Sequence, residues 1–160
     1  MKTREKNIYV FDIDGTIADE TERHMFLNPE TSPTGKKDWG KYFDGMLDDI
    51  PFTGMVTLMK ELSASNGSTI ILQTGRPERY RVETSRWLKK HGLSNSFDIL
   101  LMRLDGDYSP AIDLKQKFYE WIYEHYMQEP AVWFEDNEEV LMSVYRMSQG
   151  RTSILSARML

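Results

Sequence analysis

Four short apolar runs, Ile8 to Phe11, Thr69 to Leu72, Phe97 to Met102 and Ala131 to Phe134, constrain the fold of this chain most. Each is continuous rather than alternating, rich in aliphatic and aromatic residues, and too short for a core helix. Strands buried on both faces of a parallel sheet have this pattern. Arg151 to Leu155 is a candidate fifth strand. Between the runs, apolar residues return at helical spacing: Met55, Leu58, Met59 and Leu62; Tyr80, Thr84, Trp87, Leu88 and His91; Leu114, Phe118, Trp121, Ile122 and His125; then Val140, Leu141 and Val144. Gly67 and Gly92 stand where a left-handed residue ends a helix before the next strand. The expected class is therefore α/β with strictly alternating elements, an open parallel sheet and right-handed crossovers. In such sheets ligands bind beyond the carboxyl ends of the strands, near the switch in strand order.

A length of 160 residues fits one domain, 1–160, large enough to bury a core. The 40% hydrophobic and 28% charged composition excludes disordered and collagen-like classes. With no Cys, a disulfide framework, a thiolate metal cluster and a cysteine nucleophile are all excluded, and a reducing compartment, the cytoplasm (a host's, if the chain is viral), is expected. The opening MKTREKNIYV has no apolar core after its basic residues, and no segment reaches the roughly 18 apolar residues of a membrane helix, so neither export nor membrane insertion is expected. Lys and Arg number 20 against 25 Asp and Glu, and the net charge of -5 argues against a basic surface running along a nucleic-acid duplex.

One span, 17–52, breaks the alternation with Asn28-Pro29, Ser32-Pro33, Thr34-Gly35 and Ile50-Pro51. Connections longer than roughly 12–15 residues are usually lids or binding loops, so a small cap inserted after the first strand is expected. Phe26, Trp39, Tyr42 and Phe43 supply the burial that a disordered insertion would lack. Trp39 and Phe43 could stack on a base or form the cap's own core.

The chemistry follows the strands. The first ends in Phe11-Asp12-Ile13-Asp14-Gly15-Thr16, and alternate residues of a strand face one side. Carboxylates so close repel, and a hard oxygen-loving cation such as magnesium relieves the repulsion. The second strand leads into Thr74-Gly75-Arg76-Pro77, a hydroxyl, amides and a guanidinium suited to phosphoryl oxygens, with Pro77 expected to start a helix aimed at the same place. After the third strand come Arg103, Gly106-Asp107 and a helix expected to begin near Asp113 with Lys115 in its first turn. A cation there opposes the helix dipole, so Lys115 is a candidate partner for phosphate or carboxylate, although Lys117 lies two residues on. The fourth strand delivers Glu135, Asp136 and Asn137; Asp136 is ranked first to complete a metal site with Asp12 and Asp14, and Glu135 and Asn137 are further ligands, water holders or the helix cap that Asn favours. His24, His91 and His125 are scattered and suggest no metal site.

Four consecutive strand ends of this kind, opening with DIDGT, resemble the haloacid dehalogenase (HAD) superfamily of phosphohydrolases over about residues 8–155. The resemblance implies a Rossmann-like three-layer sandwich with strand order 5-4-1-2-3. It implies Asp12 as nucleophile and metal ligand and Asp14 as general acid and base and metal ligand. It further implies Thr74, Gly75 and Lys115 as phosphate ligands, Asp136 as a metal ligand and Mg2+ as cofactor. Thr74-Gly75-Arg76, Met102-Arg103 and Gly106-Asp107 before Lys115 are similar to the 3′-phosphatase domain of bacteriophage polynucleotide kinases and stand-alone relatives, with Ser109 and Ala111 where that motif carries Arg and Asp. This implies a 3′-phosphorylated nucleic-acid end as substrate, touched by Arg76 and Arg103. A nucleotide or another small phosphate ester is the alternative, and a non-catalytic phosphate-binding module a third. No Gly-x-x-x-x-Gly-Lys-Ser/Thr occurs, so use of ATP is not expected.

Overall fold

The apolar run at Ile8 becomes β1 (Asn7–Asp12), the middle strand of a five-stranded parallel sheet in the computed structural model, which describes residues 6–159. Its neighbours are β4 (Ser68–Pro77) and β6 (Val132–Glu135), and the edges are β5 (Ile99–Arg103) and β7 (Ser153–Ser156). Counted among these five strands alone, the order is 5-4-1-2-3, as the resemblance implies.

Period-2 alternation within β1 divides the core. Ile8 and Val10 pack with Leu114, Phe118, Ile122, Val140 and Val144, which come from α4 (Ala111–Tyr126) and α5 (Glu138–Met147). Phe11 packs on the other side with Met55, Val56, Met59, Trp87 and Leu88, from α2 (Thr53–Ala64) and α3 (Arg81–Lys90). Two helices cover each face, which explains why the strands read as unbroken apolar runs. Gly67 and Gly92 have φ of +87° and +70°, the left-handed stops expected of them. Trp87 and Trp133 are both fully buried on opposite faces, and truncating either to Ala should cost about 3–5 kcal/mol.

Several boundaries differ from the expectations. β4 continues through Thr74-Gly75-Arg76 to Pro77, because β5 pairs with it that far across an irregularity between Thr74 and Pro77. Pro77 therefore precedes a 3-10 turn, Glu78–Tyr80, and α3 starts only at Arg81, so no helix begins at Pro77. β5 starts at Ile99, after Asp98 has bonded Ile70 through both its N–H and its carboxylate. α4 begins at Ala111, which puts Lys115 one turn into the helix rather than in its first turn.

Residues 17–52 leave the sheet edge through β2 (Ala18–Asp19) and return through β3 (Ile50–Pro51), paired antiparallel. The excursion closes where the Phe52 N–H donates to the Ile17 carbonyl at 3.0 Å. Between them lie a 3-10 turn, Thr21–Phe26, and α1 (Trp39–Asp44), capped by Asp38, whose Oδ1 accepts the Lys41 N–H at 3.0 Å. Tyr42, Phe43 and Met46 form a small core of their own, extended by Phe26, Leu27 and Tyr80. Trp87 Nε1 donates to the Asp49 carbonyl at 2.9 Å and ties this segment to α3. Among the described residues no helix is long and apolar enough to cross a membrane.

Candidate active site

β1 ends at Asp12, and from there alternation no longer governs direction. The Ile13 carbonyl accepts the N–H groups of Thr16, Ile17 and Ala18 at 3.1, 2.9 and 3.0 Å, curling the chain into a tight loop. Gly15 has φ of +79°, and a Cβ there would collide with the Asp136 carboxylate. Only glycine lets this loop approach the end of β6 so closely. The consequence is that Asp12 and Asp14, two residues apart, point into different environments.

Asp12 is 5% exposed and faces the carboxylates of Glu135 and Asp136, and one oxygen of each of the three lies within 4.8 Å of the others. Parallel pairing makes the cluster, since β1 and β6 run side by side and the Phe11 and Phe134 rings stack at 4.2 Å just before the acids. Lys115, buried on the inward face of α4, reaches across the sheet end: its Nζ donates to Asp12 Oδ1 at 2.5 Å and to Glu135 Oε2 at 3.3 Å. Gln73 Nε2 also donates to Glu135 Oε2, at 3.2 Å. One ammonium cannot balance three carboxylates. Burial, then the charge of Glu135 and that of Asp136, hold the Asp12 carboxyl well above the usual range against the pull of Lys115. Burial, Glu135 and Glu20 push Asp136 up to about 7, with Arg158, 3.5 Å away, opposing them. The Lys115 ammonium is itself favoured, because the attraction of Asp12 and Glu135 outweighs its burial. A buried, under-neutralised cluster of three carboxylate oxygens is a donor set that suits a hard divalent cation.

Asp14 is held the other way. Arg76, fully buried, donates from Nη2 to Asp14 Oδ1 at 2.6 Å and from Nε to Oδ2 at 3.0 Å. Arg23, 4% exposed, donates from Nη2 to Asp14 Oδ1 at 2.9 Å. The same Nη2 and the Nε of Arg23 clamp the Asp49 carboxylate, both at 2.6 Å, while Nη1 donates to the Tyr42 carbonyl at 2.6 Å. Arg76 Nη2 also reaches Asp49 Oδ2 at 3.4 Å. Two guanidiniums and two carboxylates thus close a balanced, desolvated network. Burial alone would raise the Asp14 carboxyl, but Arg76 and then Arg23 bring it below its ordinary value. For Asp49 burial prevails over Arg23, and its carboxyl stays above the ordinary value.

This geometry bears on three expectations. Glu135, and not Asp14, stands with Asp12 and Asp136 in the carboxylate cluster, because both guanidiniums claim the Asp14 side chain. Arg76 is committed to Asp14 and Asp49 at 0% exposure, so it positions a carboxylate and is closed to substrate. Arg103 lines the cleft, but its Nε donates to the Gly75 carbonyl at 3.1 Å and its Nη1 to the Asp107 and Ser109 carbonyls at 3.1 and 2.8 Å, stapling the loop before α4 to the end of β4. Thr74 is fully buried, and its Oγ1 accepts the Arg76 N–H at 3.1 Å. Gly75 lies in the cleft wall. Of the two lysines in α4, Lys115 is the one at the site, while Lys117 pairs with Asp107 at 3.1 Å and is exposed. Asn137 caps α5, its Oδ1 accepting the Glu139 and Val140 N–H groups at 3.0 and 3.3 Å.

Sequence reasoning missed Arg23, Asp49 and Glu20. All three sit in the irregular segment, where no periodicity marks an inward face. The cleft above these groups has a volume of about 960 Å3 and is walled by residues of the segment, of the turn after β4 and of the loop before α4.

Residues 1–128 match the family model described as HAD superfamily, subfamily IIIB (acid phosphatase). Among solved structures, a chain of the Pnkp1/Rnl/Hen1 RNA repair complex is similar at 21% identity and a TM-score of 0.70, over 98% of this chain and 43% of that one. This chain thus spans less than half the length of that relative. A hydrolase from Streptococcus pneumoniae TIGR4 is similar at 13% identity and a TM-score of 0.59, over 94% and 92% of the two chains. L-2-haloacid dehalogenase from Xanthobacter autotrophicus is similar at 13% identity and a TM-score of 0.58, over 94% and 77%. At these identities the likeness is one of fold. No curated protein sequence matches the chain.

Proposed function

Because the chain belongs to the HAD superfamily of phosphatases, through its subfamily IIIB acid phosphatase model, we propose that it is a magnesium-dependent phosphomonoesterase that removes the 3′-phosphate from a nucleic-acid end. The observation that carries this reading is the opposed setting of Asp12 and Asp14: one carboxylate at a cation-seeking cluster on the cleft floor, the other pinned by two arginines beside it.

Asp12 is the nucleophile. Its carboxylate oxygen attacks phosphorus, an O–P bond forms, the bond from phosphorus to the ester oxygen breaks, and Asp14 gives its proton to the departing oxygen. A water then loses a proton to Asp14 and attacks the same phosphorus, breaking the Asp12–phosphorus bond and releasing inorganic phosphate. Asp14 Oδ1 accepts from both guanidiniums, whereas Oδ2 accepts only from Arg76 Nε, at 3.0 Å, so Oδ2 is the oxygen that exchanges the proton. As substrate binds, Asp14 takes one proton from the phosphate monoanion or from water, favoured by the incoming negative charge; giving it to the departing oxygen leaves Asp14 ionised, the form the arginines favour and the base step requires, and the attacking water restores the proton.

An anion must approach an anion here, and at 4 Å two unit charges interact by about 4 kcal/mol at an effective dielectric of 20. Lys115 lowers that repulsion, and with Gly75 in the cleft wall it holds phosphoryl oxygens, while Thr74, buried beneath, fixes the turn through the Arg76 N–H. Asp12, Asp136 and Glu135 would hold the magnesium ion, which supplies charge neutralisation at the phosphoryl group. The substrate reading is supported by the Thr74-Gly75-Arg76 and Met102-Arg103 register and by similarity to a chain of an RNA repair complex.

The test is incubation of a 3′-phosphorylated oligonucleotide with the protein and magnesium, measuring inorganic phosphate and the 3′-hydroxyl product. Asp12→Asn should lower turnover at least about 10³-fold. Release no faster than that variant's would refute the assignment.

A further inference from the structure

Resting on this end-processing reading, we propose that Trp39 and Tyr108 form a base clamp at the cleft mouth, gripping the last unpaired nucleotides of a single-stranded substrate by stacking, without regard to sequence.

The aromatic residues of the irregular segment divide into two kinds. Tyr42 and Phe43 are 6% and 7% exposed and form its core. Trp39 is 51% exposed and lines the cleft. Its ring lies over Phe43 at 5.9 Å and meets Tyr42 edge-on at 5.8 Å, so it is fixed from behind and open in front. Tyr108 is 93% exposed and also lines the cleft. It has no ring partner among the described residues, yet it is not on a loose loop: the carbonyls on either side of it, of Asp107 and Ser109, are both bound by Arg103 Nη1, and the Ser109 N–H donates to Asp107 Oδ1 at 2.8 Å. The backbone is thus anchored on both sides of Tyr108 while its ring stays uncovered, a platform open to a partner. Both line the same cleft, and the elements that carry them are linked where Phe43 packs on Tyr80 at 5.2 Å and the neighbouring Arg79 bonds Asp105 at 3.2 Å.

The charge of the cleft decides between stacking and phosphate tracking. Carboxylates outnumber cationic side chains two to one along its lining. Of the four cations, Lys115 faces the reacting phosphate, Arg103 is tied to backbone carbonyls through Nε and Nη1, and Arg79 and Arg158 stand beside Asp105 and Asp136. That acidic balance disfavours a phosphodiester backbone laid along the cleft, so affinity beyond the terminal phosphate falls to the π-faces of bases, which every nucleotide offers. A volume of about 960 Å3, at the upper end for small-ligand pockets, leaves room for more than the ester being cleaved.

The experiment pairs kinetics with binding in the full chain. Kinetics compare a single-stranded 3′-phosphorylated hexanucleotide with glycerol 2-phosphate, a base-free ester of a secondary alcohol. Binding uses fluorescence anisotropy of the same 5′-labelled hexanucleotide on the Asp12→Asn background. Trp39→Ala and Tyr108→Ala should each raise the Kd for the hexanucleotide, and lower the ratio of its kcat/KM to that of glycerol 2-phosphate, by roughly 5- to 150-fold. Trp39→Phe and Tyr108→Phe, which keep a π-face, should recover most of the loss. Binding should also fall only slightly between about 50 and 200 mM salt, where a phosphate-tracking groove loses about 10³-fold or more. Alanine variants with unchanged Kd and unchanged ratio would overturn the clamp while leaving the end-processing reading intact. A wild-type protein that hydrolyses glycerol 2-phosphate and ignores the hexanucleotide would instead overturn that reading itself.

Discussion

Asp12 and Asp14 are separated by one residue and live in opposite electrostatic worlds. Asp12 shares its surroundings with Glu135 and Asp136, three carboxylates with only Lys115 buried among them and the exposed Arg158 at the rim. Asp14 shares its surroundings with Asp49 and has two guanidiniums against two carboxylates. The first region is short of positive charge and open to a cation; the second is complete in itself. A nucleophile facing a phosphate gains from an unfilled cation site, since the ion that completes the balance also neutralises the substrate. A proton carrier gains from a rigid, self-sufficient setting that fixes which oxygen faces the leaving group. In the proposed reaction, that difference divides the labour between neighbouring carboxylates.

The most drastic way to break the second region's role is Asp14→Asn, which keeps shape and removes the proton exchange. Turnover of a sugar or alkyl phosphate should fall roughly 10²- to 10⁴-fold. A nitrophenyl phosphate, whose leaving group departs without a proton, should suffer much less in the step that forms the aspartyl-phosphate. Equal losses on the two esters, followed by burst kinetics, would remove proton donation from the role of Asp14.

Next in size is Arg76→Met, which leaves Asp14 and Asp49 buried against one guanidinium instead of two. Removing one partner of a buried ion network costs about 3–5 kcal/mol, so the melting temperature should fall by roughly 6–20 °C. Thermal denaturation at pH 7 measures it. A shift of a degree or two would mean that the network is not the closed unit its distances describe.

The two regions were not equally legible in the sequence. Asp12, Asp136 and Lys115 stand after strands or on a periodic helix, so pattern alone placed their positions at one edge of the sheet. Glu135 belonged to the same motif but was hidden by adjacency, since a strand-end residue and its successor cannot be ranked without knowing where the strand stops. The arginine network was opaque for another reason. Arg23 and Asp49 come from a segment without period, 26 residues apart, and meet only because β2 and β3 close that segment on itself. Arg76 shows the limit from the other side: its position at the site was readable, but its direction was not. A strand that runs on to Pro77 turns the side chain inward, where a turn would have presented it to substrate.

The first region can be sharpened by filling it. Magnesium at about 100 times its Kd should stabilise the chelator-treated protein by about 2.7 kcal/mol, a rise of roughly 5–11 °C in melting temperature. Asp136→Asn should abolish that response while raising the melting temperature of the metal-free protein, because it removes one of three repelling charges. Magnesium that leaves the wild-type melting temperature unmoved would mean that these carboxylates do not hold the ion.

The smallest effect is also the one that sets the two regions against each other in a single curve. In the metal-free protein Asp136 has a folded pKa of about 7, above its value of 3.8 as a free side chain, so between these limits the folded state binds more protons than the unfolded one. Stability contributed by that group must then fall as pH rises through the window and is lost above about 7. Asp14 has the opposite sign: its folded pKa is depressed, so its contribution is full above its ordinary value near 3.8 and is lost as pH falls through the lower folded value. Melting temperature in chelator, measured from pH 3 to pH 8, should therefore pass through a maximum on the acid side of neutrality and decline toward pH 8. Magnesium or Asp136→Asn should flatten the decline on the alkaline side and leave the acid limb in place, since that limb belongs to carboxylates outside the cluster whose folded values are depressed, Asp14 with Asp19, Asp107 and Glu129. A wild-type curve in chelator that rises to pH 8, or an acid limb that moves with magnesium, would show that the two carboxylate regions do not act independently.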